Sequence, residues 1–151
     1  MKKTIYMGAD SAGFELKEHI KKKLTGEGYE VIDKGAFNSE SSHYPEYAAL
    51  VSEAVQSNPD SYGILICGTG IGMSMCANKH NGVRAALCSD TFSARMTRIH
   101  NNANVLCMGA RVIGSCLAED ITDAFLGAEF ESGGRHELRV NMMSDIEKKQ
   151  K

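Results

Sequence analysis

The stretch that most constrains this chain is residues 62–75, YGILICGTGIGMSM. A short apolar run, Ile64-Leu65-Ile66, ends at Cys67 and gives way to Gly68-Thr69-Gly70-Ile71-Gly72. An apolar run of this length, closed by glycines, predicts a strand buried on both faces of a parallel sheet. The residues that follow, to about Lys79, suit a helix. The glycines therefore fall on a strand-to-helix turn at the carboxyl end of a strand, where open α/β sheets place their ligands. Alternating glycines let backbone N–H groups come close to a bound group, and the helix adds its unpaired N–H groups and the positive end of its dipole. The result is a cradle for a phosphate or for an oxyanion that forms during reaction. Cys67 and Thr69 bring a thiol and a hydroxyl to the same rim. The spacing is neither G-x-G-x-x-G nor G-x-x-x-x-G-K-[ST], so neither nucleotide fingerprint is present. Tight packing alone also explains such a turn, and a lone cysteine in an apolar run is commonly a small core residue.

The same alternation runs along the chain. Residues 4–9, 29–33, 83–88 and 104–108 read as further strands. Between them lie helical patterns. FELKEHIKKKL from Phe14 sets Phe14, Leu16, Ile20 and Leu24 on one face and the lysines on the other. A second helix begins at His43-Tyr44-Pro45 and closes at Asn58-Pro59. A helix capped by Ser89-Asp90 runs to about Asn102. Another spans residues 112–126, and a last one begins near Val140. Strands alternating with helices at these lengths predict an α/β fold, a single Rossmann-like three-layer sandwich on a five-stranded parallel sheet. No internal repeat or linker interrupts residues 1–151, which read as one domain. After Gly133-Gly134 the C-terminal helix has no strand to cross to. It is expected to pack on a partner subunit, with residues from about 130 to 151 contributing to a dimer.

Composition narrows the function. A net charge of −2 gives no basic field for nucleic acid. No apolar run is long enough to span a bilayer, and the N-terminus lacks the pattern of a signal peptide. The five cysteines, Cys67, Cys76, Cys88, Cys107 and Cys116, are odd in number and form no C-x-x-C. That predicts reduced, mostly buried thiols, a cytoplasmic location and no metal site.

Reactive side chains gather at predicted element ends. Asp10 ends the first strand, where helix capping is its simplest role. His100-Asn101-Asn102 closes the fourth helix, where a cation meets the dipole. Arg111 follows the fifth strand. Arg135 and Arg139 stand four apart, so on a helix they share a face and suit a phosphate dianion, although solvated surface charge explains them equally. A thiol, an N–H cradle, an imidazole, a carboxylate and a guanidinium pair suit proton transfer next to the carbonyl of a small phosphorylated molecule. A thiolate near a helix N-terminus has a lowered pKa and serves as base.

These residues lie in motifs that resemble one family. They are G-A-D-x-A-G-F at 8–14, E-V-I-D-K-G at 30–35, Y-P-x-Y-A at 44–48, I-L-I-C-G-T-G-I-G at 64–72, A-N-K at 77–79, H-N-x-x-N-V at 100–105, G-A-R-V-I-G at 109–114 and G-G-R-H-x-x-R-V at 133–140. Together they resemble the type B ribose-5-phosphate isomerases, the group that also holds galactose-6-phosphate isomerase subunits, over nearly the whole chain. The resemblance implies an aldose–ketose isomerase that interconverts ribose 5-phosphate and ribulose 5-phosphate through an enediolate. By that likeness Cys67 is the base, and the backbone of Gly68, Gly70, Ile71 and Gly72, with Thr69 and Ser74, holds the enediolate. His100 opens the furanose ring with Thr69, and Asp10 relays protons between sugar oxygens. Arg135 and Arg139 grip the phosphate, and Tyr44, Asn101 and Arg111 complete the pocket. It also implies a homodimer or homotetramer with the site between subunits, and neither metal nor cofactor.

The chain departs from the family once. The usual G-x-D-H-x-G has Ser11 where the histidine that helps bind the phosphate end would stand. That leaves isomerisation of another sugar phosphate open: allose 6-phosphate, galactose 6-phosphate or a tetrose phosphate. Some relatives carry a glutamate base where this chain has Met73, which supports Cys67 as the base here. A sugar-phosphate-binding protein without catalysis would be expected to have lost Cys67 or His100. A nucleotide-binding flavodoxin-like module would be expected to carry a fingerprint that is missing.

Overall fold

The computed structural model describes residues 2–150. Among them are five strands and six helices in the order β1 Thr4–Ala9, α1 Phe14–Gly26, β2 Val31–Asp33, α2 Tyr44–Ser57, β3 Ser61–Cys67, α3 Ile71–Ala77, β4 Ala85–Leu87, α4 Thr91–Asn101, β5 Val105–Gly109, α5 Ser115–Leu126 and α6 Arg135–Lys149. The strands form one parallel sheet in the order β2-β1-β3-β5-β4. The expected α/β sandwich and strand count are therefore found.

The order of the strands explains the two helical layers. The chain steps one way along the sheet from β1 to β2 and from β4 to β5. It steps the other way from β2 to β3 and from β3 to β4. Right-handed crossovers put helices of opposite steps on opposite faces. Accordingly α1, α4 and α5 pack together on one face, with Leu16, Ile20, Ala94, Ile121 and Phe125 against Ile5, Met7, Ile64, Ile66 and Leu106. The second face carries α2 and α3, with Val51, Val55, Met73 and Ala77 against Leu65, Cys67, Val105 and Cys107. Alternation along β3 thus turns Ile64 and Ile66 one way, and Leu65 and Cys67 the other. Every β3 residue is buried, as an unalternating apolar run requires.

Several expectations need correction. The lysines of α1 do not all face solvent. Lys17 borders the apolar stripe of Leu16, Ile20 and Leu24 and is fully buried, its Nζ 2.7 and 2.6 Å from the two Asp33 oxygens. β2 and β4 are three residues each, shorter than their apolar runs, although β1 and β5 run on past them to Ala9 and Gly109. α5 begins at Ser115, not residue 112, since Val112 and Ile113 donate their N–H groups to the Gly109 carbonyl in a turn. α6 begins at Arg135, five residues before Val140. Gly134 is its N-cap, and Glu137 reaches back to the Gly133 N–H at 2.7 Å. α6 also does not leave its own chain entirely. It lies beside α4, buries Val140 and binds the Gly82 N–H through Glu147. Leu138, Met142 and Ile146 remain exposed along it. Of the five free cysteines, Cys67, Cys88 and Cys107 are buried and Cys116 is exposed. Burial pushes the Cys88 thiol up to about 11 and raises the Cys107 thiol as well, so both stay protonated at neutral pH. No helix among the described residues is long and apolar enough to cross a membrane.

Candidate active site

The glycine turn sits on the end of β3. Cys67 pairs with Gly109 of β5, and pairing continues past the strand as Ala110 N–H donates to the Cys67 carbonyl at 2.9 Å and Arg111 N–H to the Gly68 carbonyl at 3.0 Å. The turn then folds directly over Gly109, where a Cβ would lie 2.6 Å from the Thr69 carbonyl carbon. Gly70 has φ of +79°, and a side chain there would meet Leu87 at 2.5 Å and the Met108 backbone at 2.9 Å. Only glycine serves at these two positions. Cys67 Sγ accepts the Gly70 N–H at 3.1 Å. Thr69 Oγ1 accepts the Ile71 N–H at 3.3 Å, and Ser74 Oγ donates to the Ile71 carbonyl at 2.7 Å.

Three walls surround this turn. The start of α1 presses against β3 so closely that a Cβ on Gly13 would lie 2.2 Å from the Ile66 carbonyl oxygen. That contact fixes Asp10 and Ser11 beside Cys67. Asp10 Oδ1 accepts the Gly13 N–H at 3.0 Å and so braces the turn before α1; the helix N-cap is Gly13, with no side-chain cap, so Asp10 does not take the capping role its position suggested. The Ser11 N–H donates to Ser42 Oγ at 3.0 Å, tying the segment after β2 to the same rim. Tyr44, at the start of α2, lays its ring against Gly72, where a Cβ would lie 2.3 Å from the ring. The Arg111 guanidinium passes 3.5 Å from the position a Gly68 Cβ would take. Asp10, Ser11, Tyr44, Cys67, Gly68, Thr69, Gly70, Ile71, Gly72, Ser74 and Arg111 thus collect at the carboxyl ends of the strands.

The remaining candidates collect elsewhere. α4 runs antiparallel to the strands, so His100 and Asn101 end it at the amino edge of the sheet. There Asn104 accepts the N–H of Gly63, four residues before Cys67. Two arginines hold this end of the helix. Arg84 Nε donates to the Asn102 carbonyl at 2.9 Å, and buried Arg98 donates to Asn102 Oδ1 at 2.9 Å and to the Ala103 carbonyl at 2.6 Å. Asn102 itself is left-handed, with φ of 48°. α6 brings Arg135 and Arg139 to this edge, and His136 between them stacks on His100 with ring centroids 4.1 Å apart and planes at 13°. Glu131, 3.6 Å from His136 Nε2, joins the cluster. Burial first, and then the positive charges of His100, Arg135 and Arg139, hold the His136 imidazole below its usual range against the opposing pull of Glu131. A cavity of about 800 Å³ opens beside Asn101, lined by Asn78, Val83, Arg84, Thr97 and Met143.

Within one chain the two groups are far apart. Their levels on β3, Gly63 and Cys67, differ by four residues, or roughly 13 Å at about 3.3 Å per residue. The structure therefore joins eleven of the fifteen candidates in one place and sets His100, Asn101, Arg135 and Arg139 at the opposite end. The sequence reading left the role of His136 open and gave none to Ser42, Arg84 or Arg98. His136 carried a signal, since it lies between two arginines at helical spacing. Ser42 carried none, being 31 positions from its partner. Among the described residues no three His, Cys, Asp or Glu side chains converge as metal ligands would.

A family model described as Ribose/Galactose Isomerase matches residues 5–143. The ribose-5-phosphate isomerase B of Escherichia coli is 50% identical over 147 residues, covering 97% of this chain and 98% of that protein. The D-erythrulose-4-phosphate isomerase of Pectobacterium atrosepticum is 48% identical over 132 residues, 87% of each chain. Among solved structures, ribose-5-phosphate isomerase B of Clostridium thermocellum superposes with a TM-score of 0.95 at 49% identity, covering 98% of this chain and 99% of that one.

Proposed function

This chain belongs to the ribose/galactose isomerase family, and on that premise we propose that it interconverts D-ribose 5-phosphate and D-ribulose 5-phosphate through an enediolate. It is an isomerase of sugar phosphates; the residue roles follow from the geometry and the likeness together. Cys67, as thiolate, takes the C2 proton of the open-chain aldose and returns it to C1. The Gly70 N–H points at this sulfur, 3.1 Å away. Charge that develops on the C1 oxygen meets the backbone of Gly68, Gly70, Ile71 and Gly72, with Thr69 and Ser74 beside it. Asp10 carries protons between the sugar oxygens. Ser11, Tyr44 and Arg111 close the pocket.

His100 accepts the anomeric hydroxyl proton as the bond from C1 to the ring oxygen breaks, and the ring oxygen is reprotonated through Thr69. Arg135 and Arg139 hold the phosphate, and Asn101 lies next to them. These four residues come from a second copy, so the working unit is a homodimer, or a homotetramer built from such dimers. The observation that carries this reading is the division of one catalytic set between the two ends of the sheet. Residues from about 130 to 151 then serve as the segment that reaches the neighbouring site. The scheme uses neither metal nor cofactor, and five free thiols suit the reducing cytoplasm.

The test is Cys67→Ala. Turnover of ribose 5-phosphate is expected to fall about a thousandfold, within the range typical of a lost general base, while circular dichroism stays unchanged. Substantial activity in the folded variant would remove Cys67 from the base role.

A second reading concerns the substrate alone. Ser11 stands where the family histidine is expected, and one close relative is named for a four-carbon sugar phosphate. A pocket that grips the phosphate end less firmly on one side fits a tetrose phosphate, allose 6-phosphate or galactose 6-phosphate in place of the pentose.

A further inference from the structure

We propose that His136 is a positioning residue for the ring-opening half of the reaction: it holds the imidazole of His100 in one plane through the stacked pair. This rests on the role of His100 given above and adds a residue to it.

An imidazole on a helix is not oriented by its backbone. Its second side-chain torsion joins an sp³ to an sp² carbon and has a broad, roughly two-fold profile. His100 also sits at the last turn of α4, where no further turn of helix crowds the ring. Among the described residues the one aromatic partner of His100 is His136, 4.1 Å away with planes 13° apart. At that distance rotation of the His100 ring out of plane runs into its neighbour.

His136 is itself fixed. Its side chain is 12% exposed, and it is the second residue of α6, whose N-terminus docks here against α4. The segment that leads into α6 is tied to the same turn, since the Glu131 N–H donates to the Ile99 carbonyl at 3.1 Å. The groups that face His136 are His100 from α4, Arg135 and Arg139 from α6, and Glu131 from the segment between α5 and α6. Three are cations or become so on protonation. Together with burial they push the His136 imidazole downward, against the pull of Glu131.

The arrangement separates two steps. Proton transfer between C1 and C2 takes place at Cys67, at the other end of the sheet of the chain that contributes it. Ring opening takes place at His100. A positioning residue for His100 affects the second and leaves the first alone.

The experiment compares wild type, His136→Ala, His136→Phe and Cys67→Ala in two assays. One is turnover of ribose 5-phosphate. The other is incorporation of solvent deuterium at C1 of ribulose 5-phosphate, an open-chain ketose, followed by NMR. With His136→Ala, kcat for ribose 5-phosphate is expected to fall about tenfold, as misplacement of a reacting group commonly costs. KM should change less than twofold, and deuterium exchange should stay near wild type. His136→Phe, which keeps a flat ring and carries no proton, should restore kcat to within about twofold. An unchanged kcat in His136→Ala, an equal loss in Ala and Phe variants, or a parallel loss of deuterium exchange would each overturn the proposal. If Cys67→Ala retains exchange, the isomerase mechanism fails instead, and that outcome is read independently of His136.

Discussion

Ser11 stands where the family resemblance implies a histidine, and its surroundings bear on what the difference would do. Its N–H is committed to Ser42 Oγ, and a serine side chain offers no positive charge and little reach. One lost hydrogen bond to a charged group costs about 1.5–3 kcal/mol, or roughly ten- to a hundredfold in binding. Ser11→His is therefore expected to lower KM for ribose 5-phosphate about tenfold with little change in kcat. Steady-state kinetics on ribose 5-phosphate beside a tetrose phosphate checks this. If wild type handles the tetrose phosphate better and Ser11→His reverses the order, Ser11 selects substrate and the pentose assignment is wrong. At this scale the sequence is readable wherever chemistry and local backbone coincide. Gly70 and Gly109 announce the turn because only glycine tolerates a φ of +79° or a carbonyl 2.6 Å from its Cβ position. Ser42 is invisible for the opposite reason, since nothing in its neighbourhood reflects a partner 31 residues away.

Among the elements, α1 and α6 show where periodicity stops being informative. Lys17 reads as one more solvent-facing lysine, yet it sits one position from Leu16 at the border of the apolar stripe and is drawn inside by Asp33. Burial pushes the Asp33 carboxyl up, but hydrogen bonds from Lys17, Lys21 and the Gly35 N–H outweigh it and hold the group below its ordinary value of 3.8. A carboxyl depressed in the folded state contributes its full stability above the unfolded value and loses it as pH falls through the folded one. Wild type should accordingly lose stability steeply below about pH 4. Asp33→Asn should be weaker by about 3 kcal/mol at pH 7, because Lys17 stays buried with its main partner gone. It should also show a flatter profile in acid. Urea midpoints measured from pH 3 to 7 test both; parallel profiles would mean that the pair is not what couples α1 to β2. In α6 the apolar spacing is poor because Val140 alone is buried. The start of that helix is written instead in Glu137 at the third position, a weaker signal than a hydrophobic stripe.

At the scale of the whole molecule, the five strands and their parallel sense follow from the alternation of apolar runs and helices, but the order β2-β1-β3-β5-β4 does not. Order depends on which way each crossover steps, and a sequence carries no local mark of that direction. Yet order decides how the site is made. β4 lies at the edge, and the two halves of the proposed catalytic set lie at opposite ends of the strands near it, the thiol at one and the imidazole with the arginines at the other. In the proposed dimer, a two-fold axis across the strands would bring the thiol end of one copy to the imidazole end of the next, and would do so twice, giving two equal sites. Complementation tests this directly. Cys67→Ala and His100→Ala are each expected to be inactive alone. In a mixed dimer both lesions fall in one site and the other site is intact. Equal amounts exchanged at random should then recover about a quarter of wild-type activity, since half the dimers are mixed and each has one working site of two. Native mass spectrometry confirms that mixed dimers have formed. If they are present and no activity returns, each chain supplies its own imidazole, and the division of the site between copies is wrong.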